Sequence, residues 1–364
     1  MSALLIHNVR LVRPGLDIAS RDILVRGGRI VAAGDVPRPG AATATERVDG
    51  GGRLLTPGLI DVHTHGVMRS LYENDPAGPD GLRSAARELA RFGVTSVLPT
   101  IVPRPGPGWL ERIAAVAAAI PATTGVHIPG LHLEGPFMAV GGAACPTLPG
   151  DLVLLEEMIA ACAGRLAVMS VSPDAPGIIP VIRRLREKGV VVFLTHTRAN
   201  AEDTEAAIEA GAAHATHFYD VFYPPAETDP GVRPVGAVEV ILADPRASVD
   251  FIADGVHVHP AAIRAAVGSR ATLIFDSGVR SGVDVARAIA CGADAAFAGK
   301  SFLWSLGALG AAGPAHLINV YTDDLRAVMG QTGCQSVEQL RLLARRHPGA
   351  WTAADYEAPL ASGA

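Results

Sequence analysis

Leu59-Ile60-Asp61-Val62-His63-Thr64-His65-Gly66 reads as an apolar strand that ends in two histidines spaced two apart. A strand alternates its side chains between two faces, so His63 and His65 leave the backbone on the same side. Taken alone, such a pair more often hydrogen-bonds a loop than ligates an ion. What surrounds it decides between the two readings.

Downstream, apolar β-rich runs recur: TSVLPT (95–100), GLHLEG (130–135), RLAVMSVSP (165–173), VVVFLTH (190–196), AAHATHF (212–218), SVDFIADGVHV (248–258) and ATLIFDSG (271–278). Between them lie segments such as DGLRSAARELARFG, IIPVIRRLREKG and AEDTEAAIEAG, whose apolar residues repeat near 3.6 and which end at glycine, as helices do. Strands alternating with helices predict a parallel sheet, and eight strands is the number that closes a barrel. Upstream, LLIHNVRLV, DILVRGGRIVAAG and ATERVDGGGRLLTPG are short strands joined by Gly and Asp turns. The expected fold is α/β: a (β/α)8 TIM barrel over residues 56–276, preceded by a small β domain (1–55, part of a β-sandwich). An atypical C-terminal βα segment (277–364) follows, in which DVARAIACG and ADAAFAGK read as a further helix and a ninth strand.

Composition narrows the function. At 364 residues and 49% hydrophobic, the chain can fill one large core. A formal charge of −5 without runs of Lys or Arg argues against a nucleic-acid partner. Four cysteines without a CxxC pair argue against a thiolate metal site or a disulfide framework. No continuous apolar run of about 18 residues and no export signal is seen, so no membrane partner and a cytoplasmic location are expected. The expected partner is a small-molecule substrate, within a homo-oligomer.

In a parallel barrel the chemistry sits where strands end. His63 and His65 end the first strand, Glu134 the third, His196 the fifth, His217 the sixth and Asp276 the eighth. Four imidazoles and two carboxylates thus meet at one mouth, a ligand set suited to Zn²⁺, with Fe²⁺ or Mn²⁺ as alternatives. Glu134, His196 and His217 are the expected core ligands; His63 and His65 hold a second ion or orient the first. A metal lowers the pKa of a bound water and polarises a carbonyl, and Asp276 is assigned the acid/base role beside it. Each residue has a plainer reading: Glu134 before Gly-Pro as a loop cap, Asp276 in DSG as a turn residue. Joint placement at five strand ends favours the metal. His214, three before His217, points to the opposite face and reads as structural. His257 in ADGVHV is the candidate substrate contact, while His127, His132 and His259 keep both readings.

PGLIDVHTHG, GVTSVLPT, GLHLEGPF, ATHFYD and IADGVHV, in this order, resemble the N-acetylglucosamine-6-phosphate deacetylases of the amidohydrolase superfamily over about residues 1–276. The resemblance implies Glu134, His196 and His217 as metal ligands, His257 as a substrate contact, Asp276 as catalytic acid/base, and hydrolysis of an N-acyl bond on an amino sugar. Three departures bear on substrate. Asp220-Val221 stands where the family has Asn-Ala, and Thr228-Asp229-Pro230-Gly231 where it has Arg-Glu-Pro-Gly. The family's His after Glu-Gly-Pro-Phe has no counterpart in GGAAC. A buried phosphate needs charge-assisted partners, and Arg233 or Arg69 is the expected substitute.

From about residue 271 to 345 the chain is similar to a second family. TLIFDSGVRSGVDVARAIACGADAAFAGKSFLW and GPAHLINVYTDDLRAVMGQTGC resemble the end of the FMN-dependent α-hydroxy-acid dehydrogenases and oxidases. That resemblance implies Asp276, Gly278, Arg280, Gly299 and Lys300 on the side of a flavin phosphate. The catalytic His-x-x-Arg pair of that family has no match, so the tail is expected to close or pack on the barrel without binding flavin. The alternatives to an amide-cleaving hydrolase are therefore an FMN-linked oxidoreductase and a non-catalytic metal-binding barrel.

Overall fold

The computed structural model of the protein describes residues 3–12, 19–34, 46–68, 70–72, 79–142, 145–253, 256–268, 274–276 and 279–343. Five strands near the N-terminus form one sheet: β1 (Ala3–Leu11), β2 (Ala19–Arg26), β3 (Arg29–Gly34), β4 (Glu46–Asp49) and β5 (Leu54–Leu55). Their order is β3-β2-β1-β4, with β5 also beside β1. Gly27 and Gly28 join β2 to β3 with φ of 55° and 75°, the two left-handed positions that a tight hairpin turn requires. Among the described residues no C-terminal strand joins this sheet.

Seven parallel strands form the main sheet: β6 (Leu59–Thr64), β9 (Val94–Ile101), β10 (Leu131–Glu134), β11 (Leu166–Val171), β12 (Val191–Leu194), β13 (Ala212–Ala215) and β14 (Ser248–Val249), paired in chain order. The short pair β7 (Gly66–Val67) and β8 (Ser70–Leu71) follows β6. Helices α1 (Pro79–Arg91), α2 (Trp109–Ala119), α3 (Leu152–Ala161), α4 (Ile178–Glu187), α5 (Ala201–Ala210) and α6 (Ala237–Ala243) make the successive connections. Local chemistry starts them: Asp151 accepts from the amides of Val153 and Leu154 at the head of α3, and Asn200 from that of Asp203 at the head of α5. In α4 the buried residues are Ile178, Val181, Ile182 and Leu185, one stripe at helical spacing facing the sheet. Every residue of β10 is buried, since the strand is central and covered on both faces.

The expected barrel is only partly realised among the described residues. The run expected over 248–258 is a strand only at Ser248–Val249. Beyond it Asp250 still pairs its backbone with Ala215 and Phe218, and its carboxylate is taken up by Thr216 and the His217 amide just past β13. The eighth run yields β15 (Ile274–Asp276), which pairs in parallel with β16 (Ala295–Phe297) in a separate two-stranded sheet rather than with the main one. Pairing with the next strand of its own βαβ unit closes a shorter loop than reaching back to β6. Helices α7 (Pro260–Val267), α8 (Gly282–Ala290), α9 (Lys300–Leu309), α10 (Gly313–Thr332) and α11 (Val337–Leu340) accompany this tail. Its small core joins Ala286 and Ile289 of α8 to Cys334 and Leu340.

The seven-stranded sheet is nevertheless strongly curved. His63 lies on edge strand β6 and Thr216 just past β13 near the other edge, yet His63 Nδ1 and Thr216 Oγ1 are 2.8 Å apart. Hydrogen-bonded strands are spaced about 4.8 Å, so a flat sheet would hold them more than ~20 Å apart.

Leu185 is fully buried on the sheet-facing stripe of α4, next to the start of β12. Leu185→Ala is expected to cost about 2–5 kcal/mol in urea unfolding. A loss under about 1 kcal/mol would show that this helix does not carry the core as described.

Candidate metal centre

Glu134 ends β10 with its side chain 2% exposed, and four imidazoles converge on it. Its Oε1 lies 3.0 Å from His217 Nε2 and 3.3 Å from His196 Nε2. Its Oε2 lies 3.2 Å from His65 Nε2 and 3.6 Å from His63 Nε2. The carboxylate therefore stands between two lobes, Glu134/His196/His217 and His63/His65/Glu134, each with ligand atoms mutually within 4.8 Å. The first is buried; the second is half-exposed.

All four histidines present Nε2 inward, and three have Nδ1 occupied from outside. His196 Nδ1–H donates to the Val140 carbonyl (3.2 Å), His217 Nδ1–H to that of Asp220 (3.3 Å) and His63 Nδ1–H to Thr216 Oγ1 (2.8 Å). An outer acceptor on Nδ1 leaves Nε2 with its lone pair, which is how proteins prepare imidazoles for a metal. The Nε2 atoms of His63 and His65 are 3.3 Å apart, a spacing that two lone pairs tolerate only around a proton or a cation. The residues present thus fit a divalent ion, and the nitrogen and carboxylate donor set fits its type.

The backbone is bent to achieve this. His196 (φ 48°) and His217 (φ 36°) both lie in the left-handed region, which costs a non-glycine residue of order 1–3 kcal/mol and persists only where surroundings dictate it. Gly142 crosses directly over His196: an added Cβ would lie 2.8 Å from the ring Cε1. Burial opposes ionisation of Glu134, but hydrogen bonds from His196, His217, His63 and His65 outweigh it and hold the carboxyl far below the usual range. Burial alone would likewise depress His217, yet its contact with Glu134 raises it.

Behind the centre, fully buried His132 donates Nδ1–H to the Val62 carbonyl (3.1 Å), one residue before His63, and its Nε2 accepts from Ser170 Oγ (2.6 Å). Of the two open readings for His132, the structural one holds. A cavity of about 710 Å³ opens on the cluster and is also lined by Asp220, Asp250, Phe251 and His257. His257 is exposed at its rim. Arg233 is not in this lining: it pairs with Glu239 and borders a separate cavity beside Tyr219 and Phe222. Arg69, Gly278 and the Asp276 side chain lie outside the described residues. Of the tail residues, Arg280 lies over the Trp304 ring at 5.8 Å, and Gly299 and Lys300 sit exposed at the start of α9. Sequence reading missed Thr216, Asp250 and Gly142. Thr216 and His217 lie past the end of β13, where His217 has left-handed backbone, so strand alternation gave no signal for Thr216.

The human N-acetylglucosamine-6-phosphate deacetylase is 31% identical over 270 residues, spanning 71% of this chain and 65% of that protein. The N-acetylgalactosamine-6-phosphate deacetylase of Escherichia coli O157:H7 is 33% identical over 280 residues, 74% of this chain and 70% of that protein. The chain belongs to the N-acetylglucosamine-6-phosphate deacetylase family. A solved structure of the family, from Mycobacterium smegmatis, superposes with a TM-score of 0.59 at 27% identity over 73% of each chain. The chain thus matches slightly under two thirds of the human deacetylase's length. A family model described as FMN-dependent dehydrogenase matches residues 248–345, overlapping the end of the deacetylase-like part.

Two expectations follow. Burial pushes His132 from an ordinary 6.5 down to about 3. Its protonation therefore favours the unfolded chain, so the associated stability is full above pH 6.5 and lost as pH falls below it, by up to about 1.4 kcal/mol per unit. Metal-free protein should lose stability below pH 6.5 more steeply than His132→Gln in urea titrations; parallel curves would contradict this. Gly142→Ala should displace His196 and weaken Zn²⁺ binding about 10–100-fold in chelator competition. Unchanged affinity would show that the ring has room to move.

Proposed function

We propose that the chain is a metal-dependent hydrolase that cleaves the N-acetyl bond of an amino sugar. The observation that carries this reading is the buried Glu134 carboxylate ringed by the Nε2 atoms of His63, His65, His196 and His217. It is supported by membership of a family whose named members are amino-sugar phosphate deacetylases. Glu134, His196 and His217 would hold one ion, and His63 and His65, sharing Glu134, a second; Zn²⁺ is the preferred occupant, ahead of Fe²⁺ or Mn²⁺. When bound, the ion acidifies a water and polarises the acyl carbonyl.

The chain's residues supply the rest. Asp276 takes the proton of the attacking water and returns it to the departing amine, so that acetate and the free amino sugar leave. In this reading β15 comes to lie against the open edge of β6, where Leu59 and Ile60 are 58% and 72% exposed, closing the barrel and bringing Asp276 to the mouth. His257 and Asp220, both in the cavity lining, contact sugar hydroxyls. The lining contains no Arg or Lys among the described residues, so the phosphorylated and free sugars are to be compared directly.

The test is acetate release by the metal-loaded chain from N-acetylglucosamine-6-phosphate and from N-acetylglucosamine, alongside elemental analysis. Expected are one or two ions per chain, turnover of at least one sugar, and a kcat about 10²–10⁴-fold lower in Asp276→Asn. Full activity in that variant removes Asp276 from its role. Metal binding without turnover of either sugar leaves the non-catalytic barrel. The match over residues 248–345 favours a second reading, flavin binding by the tail. Quenching of FMN fluorescence by stoichiometric protein would support it; unchanged fluorescence dismisses it.

A further inference from the structure

Outside the cluster itself, a dense set of polar contacts lies around Asp250, just past the end of β14. Its Oδ1 accepts from the His217 amide (2.5 Å), and its Oδ2 from Thr216 Oγ1 (3.0 Å) and His214 Nε2 (2.9 Å). Its own backbone pairs with Ala215 and Phe218, locking it against the β13 end. Thr216 and His217 are buried and Asp250 is half-buried.

The chemistry of these contacts fixes their direction. An ionised carboxylate only accepts, so the single proton of Thr216 is given to Asp250. Thr216 Oγ1 then has only lone pairs to offer His63 Nδ1, 2.8 Å away, and His63 must carry its proton on Nδ1. A neutral imidazole protonated there has its lone pair on Nε2, the atom that faces His65 and Glu134. Asp61 Oδ1, accepting from the His63 amide (3.1 Å), holds the backbone of the same residue.

We propose that Asp250 is a positioning residue: through Thr216 it fixes the tautomer and orientation of His63 and so sets the affinity of the His63/His65 lobe for a divalent ion. The inference rests on the metal reading above and adds a residue outside the proposed ligand set. The same carboxylate holds the His217 amide, so it couples a ligand from each of two strands five places apart in the sheet.

The decisive variants are Thr216→Val, which keeps the shape and removes the hydroxyl, and Thr216→Ser, which restores it. In metal-free protein, long-range ¹⁵N–¹H spectra should show His63 as the Nδ1–H tautomer in the parent and in Thr216→Ser, and as a mixture in Thr216→Val. In Zn²⁺ titrations with a competing chelator, Thr216→Val should bind the weaker equivalent about 10–100-fold less tightly, with the tighter one unchanged. Asp250→Ala should weaken the same equivalent and, because it also releases the His217 amide, the tighter one as well, so the Thr216 variants isolate the His63 arm. An unchanged tautomer in Thr216→Val, or equal loss at both equivalents in that variant, overturns the proposal. A parent that shows the tautomer dependence but binds no ion overturns the metal reading and leaves the positioning of His63 standing.

Discussion

The structure is organised around one buried carboxylate. Glu134 sits at the end of a strand with no exposed neighbours, where an unpaired negative charge would be prohibitively costly, and four imidazole nitrogens remove that cost from two sides. Those imidazoles come from β6, from the end of β12 and from the end of β13. They reach one carboxylate only if the sheet curls, so the site and the curvature are a single constraint. The left-handed backbone at His196 and His217 is where that constraint shows as strain.

Support for the cluster extends outward in two shells of different kind. Toward the interior, His132 is held neutral and ties Val62 to Ser170, bracing the strand that carries His63. Toward the far edge, Asp250 gathers Thr216, His214 and the His217 amide. The hydroxyl of Thr216 is the bridge by which the two edges of an incompletely closed sheet are joined. Such outer contacts orient ligands without touching an ion, and their geometry is as restrictive as that of the ligands.

The tail behaves as a unit of its own. β15 and β16 pair with one another, and α8 packs on α10 closely enough that a Cβ on Gly282 would clash with the Tyr321 carbonyl. Among residues 282–343 every regular element except β16 is helical. The exposed Leu59 and Ile60 on β6 record the strand that this arrangement leaves unpaired.

By itself the sequence determined the local units and the residue types of the cluster. Apolar β-rich runs marked β6, β9 and β10 to β13, helical stripes marked α1, α4 and α5, and polar residues ending the runs named His63, His65, Glu134, His196 and His217, because periodicity and strand-end placement are local properties. The short reach of β14 and the pairing of β15 were not legible, since edge pairing depends on competing partners far apart in the chain. Nor was the direction of Arg233, which found Glu239 six residues on instead of the cavity. Only the tertiary structure decided that Asp250 and Thr216 belong to the site and that Gly142 must stay a glycine. Each acts through a contact made across 34 or more residues by the curvature of the sheet, a quantity that no local pattern encodes.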